Sequence, residues 1–126
     1  MLSDSKLQSI ICTSRINEAE RFYSDTLGLP LTGKSHGALL YDVGGSVLRV
    51  SPVPSTQPSA HTVLGFAVRD LSGVMICLAL RHVSWERFPG FNHDALGAIT
   101  TPDGAKVAWL RDPDGNLLSV VEFLSD

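Results

Sequence analysis

The chain has 126 residues, 44% of them hydrophobic, and a formal net charge of −3, which is material for one ordinary domain with a core of its own. Its acids and bases are scattered, so the clustered Lys and Arg of a nucleic-acid footprint are excluded. No apolar run approaches the ~20 residues that cross a bilayer, the first residues lack the pattern of a secretory signal, and two cysteines, Cys12 and Cys77, form neither a disulfide framework nor a metal-type spacing; the expectation is a cytoplasmic protein.

"KLQSIICT", residues 6–13, predicts a strand. "INEAERFYSDTLGLP", 16–30, predicts a helix with Ala19, Phe22, Tyr23 and Leu27 on one face, closed by Gly28 and Pro30. "ALLYDVGGSVLRVSP", 38–52, predicts two strands around the Gly44-Gly45 turn. The Pro- and Ser-rich "PVPSTQPSAH" reads as a connector. The order then restarts. "TVLGFAVRD", 62–70, is a strand, and "LSGVMICLALRHV", 71–83, is a helix with Leu71, Val74, Met75 and Leu78 on one face.

The chain repeats itself. An offset of 55 (63 − 8) lays Gln8 on Val63, Arg15 on Asp70 and Ile16 on Leu71. An offset of 70 (112 − 42) lays the hairpin "DVGGSVLRVS" on "DPDGNLLSVV". The second half therefore carries about fifteen extra residues (70 − 55), within "SWERFPGFNHDALGAITTPDGAK", 84–106. Both "PDG" triplets, with Asp112 and Asp114, read as turns. The expected fold is α+β, one domain over 1–126 built from two βαβββ copies, 1–53 and 62–126.

Side chains alternate between the faces of a strand. Leu48, Val50, Leu118 and Val120 suit a helix-covered face. The opposite face carries Val47, Arg49 and Ser51 in one copy and Leu117, Ser119 and Val121 in the other. Gln8, Ile10 and Cys12, and likewise Val63, Gly65 and Ala67, share that face. A charged, a neutral polar and two very small residues together read as the wall of a cavity; the competing reading places Arg49 at an edge facing solvent.

"INEAERFYSDTLGLPL" and "DGAKVAWLRDPDGNLLSVVEF" resemble the vicinal oxygen chelate superfamily of glyoxalase I, bleomycin-resistance proteins and extradiol dioxygenases. The resemblance implies paired repeats whose mixed sheet curls around a cup, and chains that pair as homodimers. It also implies that metal-dependent members draw His and Glu ligands from the opening strand and the last hairpin strand of each repeat. The matching positions here are Gln8, Arg49, Val63 and Ser119. A Zn, Ni, Fe or Mn ion needs three or four N, O or S donors at ~2 Å. Val63 has none, Ser119 a neutral hydroxyl, Gln8 one amide oxygen, and Arg49 a permanent positive charge.

No metal is therefore expected at these positions. The first expectation is a small anionic or aromatic molecule bound by Gln8, Cys12, Arg49, Val63 and Ser119, with Trp85 and Phe91 of the inserted segment as an apolar wall beside Phe88. Alternatively, these aromatics fill the core beside the second helix. Cys12 itself reads as a buried, inert cysteine. A second class stays open: a lyase, isomerase or dioxygenase of the glyoxalase type, with metal on displaced ligands such as His61 or His93, or with Arg49 as the electrophile. His36 falls in a loop. A partner-interaction subunit is the third class. No catalytic residue is assigned.

Overall fold

In a computed structural model that describes residues 1–124, leaving Ser125 and Asp126 outside the described residues, the β-branched opening run forms strand β1, Gln8–Thr13. It belongs to the first of two compact units, 1–57. There it is followed by α1, Ile16–Glu20, and by β2, Leu31–Ser35, β3, Ala38–Val43, and β4, Ser46–Pro52. The sheet order is β1-β4-β3-β2, with β1 parallel to β4 and the remaining pairs antiparallel.

The predicted first helix is α-helical for only five residues and then widens into π-helical turns over Arg21–Thr26. The Leu27 N–H reaches back five residues to the Phe22 carbonyl at 2.8 Å. That extra residue per turn divides the expected apolar face: Ala19 and Tyr23 are fully buried, while Phe22 and Leu27 are half-buried. Tyr23 meets Tyr41 of β3 at 6.1 Å between ring centres, and Ser24 Oγ lies 2.8 Å from the Tyr41 hydroxyl.

Strand β2 has no apolar alternation to announce it. It carries Thr32, Gly33 and Lys34, shifts register between Leu31 and Gly33, and turns into β3 through His36 and Gly37, both at positive φ (52° and 82°). A short, polar, bulged strand at the sheet edge discourages pairing with other chains.

The second unit, 58–126, repeats the order with β5, Leu64–Ala67, α2, Leu71–Leu80, β6, Ile99–Thr100, β7, Lys106–Arg111, and β8, Leu117–Glu122. Its strands run β5-β8-β7-β6, again with only the opening pair parallel. Asp70 caps α2 by accepting from the Gly73 N–H, and Glu122 accepts from the Leu71 N–H, so two of the helix's unpaired donors are satisfied.

The helix stops at Leu80, short of the predicted Val83. His82 adopts φ 70°, the His82 N–H bonds the Ala79 carbonyl, and the Val83 N–H bonds the Leu78 carbonyl. This paired closure is the usual helix end, with histidine where glycine is commoner. Leu71, Met75 and Leu78 bury the inner side of α2, and Ala108, Leu110, Leu118 and Val120 form the helix-facing side of the sheet.

The two units agree in register as well as in order. Ile10 pairs with Arg49, and Gly65 with Ser119; 10 + 55 = 65 and 49 + 70 = 119, the offsets read from the sequence. Both helices begin at equivalent positions, Ile16 and Leu71.

Candidate functional site

Each sheet has one face under its helix and one open. In the first unit the register sets Gln8 beside Val47, Ile10 beside Arg49 and Cys12 beside Ser51, all on the open face. The faces differ sharply: Leu48 and Val50 are 2% and 0% exposed, whereas Ile10 is 61% exposed. Cys12 is exposed, contrary to the expectation of a buried cysteine, because the strand turns it away from α1. Arg49 is half-buried, and its Nη2 donates to the Ser35 carbonyl at 3.2 Å. Among the described residues of this unit, Met1–Asp4, Arg15–Glu18 and Lys34–Glu20 form ion pairs, and none of these involves Arg49.

In the second unit Val63 donates its N–H to the Leu117 carbonyl, and Gly65 and Ala67 pair with Ser119 and Val121. A Cβ at Gly65 would lie 3.0 Å from Ser119 Oγ, so Gly65 leaves that hydroxyl uncovered. Directly across from Ser119 stands Trp109. It is half-buried, and its Nε1–H donates to Thr62 Oγ1 at 3.2 Å. The sequence reading missed Trp109, although Val107, Trp109 and Arg111 alternate with Ala108 and Leu110 and so place it on the open side.

The inserted segment divides its aromatics. Phe88 and Phe91 lie over the open face, with ring centres 5.4 and 6.5 Å from Trp109. Trp85 goes instead to α2, donating its Nε1–H to the Met75 carbonyl at 3.2 Å. The segment is tightly wired: Asp94 Oδ1 accepts from the N–H groups of Leu96, Gly97 and Ala98, and the Arg87 guanidinium donates to the carbonyls of Asp94 and Ala95.

Both nitrogens of His93 are occupied. Nε2 accepts from the Phe88 N–H at 2.9 Å and Nδ1 faces the Gly97 carbonyl at 2.7 Å, so no lone pair is left for a displaced metal. His36 is exposed and lies 3.2 Å from Ser35 Oγ; His61 is exposed. Among the described residues, no three His, Cys, Asp or Glu side chains gather as a donor set. The Asp112–Asn116 stretch is a turn, as expected: Asp112 accepts from the N–H groups of Asp114 and Asn116.

This order of elements, repeated in register, has a family match. The model of the Glyoxalase/Bleomycin resistance protein/Dioxygenase superfamily matches residues 6–120. The chain belongs to that superfamily.

Solved structures of similar fold include a superfamily member from Sphaerobacter thermophilus (19% identity, 98% of this chain and 100% of that one, TM-score 0.75). A putative glyoxalase family protein from Bacillus anthracis aligns at 17% identity over 93% and 91%, with TM-score 0.72. A lactoylglutathione lyase from Agrobacterium tumefaciens aligns at 18% identity over 94% and 93%, with TM-score 0.71. At these identities the likeness carries the fold and no more. No curated protein matches the chain. Among the described residues, no helix is long and apolar enough to cross a membrane.

Proposed function

We propose that this superfamily member is a metal-free small-molecule-binding protein, acting in the cytoplasm as a homodimer, whose open sheet faces take anionic and planar aromatic groups. Arg49 carries the reading. A half-buried guanidinium loses hydration that a neutral carbonyl replaces only in part, and Ser35 offers only that. A carboxylate, sulfonate or phosphate gripped by two parallel N–H bonds restores the balance. Gln8 and Ser51 stand on the same face as hydrogen-bonding side chains.

The second unit, taken by itself, carries an aromatic surface. Trp109, Phe88 and Phe91 form a half-open wall beside Ser119, with Gly65 leaving space. The four positions that match the superfamily's metal ligands support the metal-free part of the reading. One amide, one hydroxyl, one alkyl group and one fixed cation do not suit a divalent ion.

The test is binding of anilinonaphthalene sulfonate, an aromatic anion, to Arg49→Ala. The expected result is loss of at least about tenfold in affinity, the scale of a charge-assisted hydrogen-bonded pair. Unchanged affinity sinks the reading.

A further inference from the structure

We infer that His93 is an acid-released clip that holds Phe88 and Phe91 against Trp109 and so makes ligand binding on this face sensitive to pH; the regulatory part rests on the Trp109 face being the binding surface proposed above. The two bonds to His93 specify a single protonation state. A carbonyl only accepts, so Nδ1 must carry the proton toward Gly97; an amide N–H only donates, so Nε2 must present its lone pair to Phe88. Both requirements are met by the neutral Nδ1–H ring and by no other form. A second proton would aim an N–H at the Phe88 N–H and turn an attraction into a repulsion.

Among the described residues, no ion pair involves His93. On the segment itself, the neighbouring Asp94 keeps its negative charge while Oδ1 accepts from three amides, and Arg87 donates to two carbonyls. On β7, Arg111 is paired with Glu86, and Lys106 alternates onto the face opposite Trp109. Helix α2, which receives Trp85 from the segment, has no charged residue. The rings nearest the imidazole are Phe88 at 6.3 Å and Phe91 at 6.5 Å. The residue whose backbone is clipped is thus one of the two that rest on Trp109.

Acid therefore breaks the bond to Phe88, loosens the segment and removes the aromatic wall. The first readout needs no ligand: long-range nitrogen–proton NMR should show His93 protonated at Nδ1. The Phe88 amide should be protected from exchange at about pH 7.5 and lose that protection, after correction for intrinsic rate, at about pH 5.5.

His93→Gln offers an amide oxygen near the place of Nε2 and does not titrate, so protection should persist at both pH values. The second readout is anilinonaphthalene sulfonate, whose charge is constant over this range. Its affinity should fall about fivefold at the lower pH in the unaltered protein, the loss of one ordinary hydrogen bond, and should stay flat in His93→Gln. An Nε2-protonated ring, or amide protection that ignores pH, overturns the clip and leaves the binding reading standing. No probe binding at the higher pH, with the amide response intact, overturns the binding reading and its regulation while the clip itself holds.

Discussion

Asp112 is 6% exposed, and its carboxylate accepts from the Asp114 N–H at 3.0 Å, the Asn116 N–H at 2.9 Å and Asn116 Nδ2 at 2.9 Å. The β7–β8 turn is organised around this one side chain. Asp112→Ala removes the acceptor of three donors, two of them buried, and the expected cost is about 2–3 kcal/mol of unfolding free energy, measured by urea titration. A loss below about 0.5 kcal/mol, the scale of an ordinary surface substitution, would mean that water replaces the carboxylate. This turn was legible from "DPDG" because its chemistry is local. Trp109 was missed although the alternation of β7 places it on the open side; what alternation does not give is its partner, Ser119, ten positions on (119 − 109). Cys12 was placed on the open face from the alternation of β1 and misread only in its burial, where cysteine's general preference for the interior did not hold.

At the scale of elements, the first helix shows where pattern reading stops. Helical spacing located it, but the change to π-helical turns after Glu20, in the stretch where Tyr23 meets Tyr41, is something no periodicity records. That contact makes a pH prediction. Burial, the largest influence, raises the Tyr41 hydroxyl above the ordinary tyrosine value of 10.0; the hydrogen bond with Ser24 works in the opposite direction, and Glu20 and Asp25 raise it further. The folded state thus holds this proton more tightly than the unfolded chain does. The stability this contributes is fully present below the ordinary value and is lost as pH rises through the higher folded one. Thermal melts of the unaltered protein should fall steeply on the alkaline side, and Tyr41→Phe should blunt that fall; parallel curves would show that other groups govern alkaline unfolding. Strand β2 was illegible for a different reason, since its polar edge residues and bulge supply no alternation to detect. The inserted segment was visible as an excess of about fifteen residues, but its division, Trp85 to α2 and Phe88 and Phe91 to Trp109, was not.

For the molecule as a whole, duplication was the strongest signal in the sequence, because two offsets, 55 and 70, carry a strand pairing in one copy onto its counterpart in the other. The four positions Gln8, Arg49, Val63 and Ser119 test the metal-free proposal. Protein purified without chelator or affinity tag and titrated with Ni, Zn, Mn and Fe(II) should bind none of them near stoichiometry. One tightly held ion per chain would overturn the proposal and direct the protein to assays of glyoxalase-type chemistry.

The pairings Ile10–Arg49 and Gly65–Ser119 are the same joint in two copies, and the copies have settled it in opposite ways. One crowds the joint with a branched alkyl group and a guanidinium; the other empties it until a single added carbon at position 65 would touch the serine oxygen. An added carbon at position 65 asks the Ser119 hydroxyl to give way by a few tenths of an ångström, so the second copy keeps its joint open only as long as the glycine stays small.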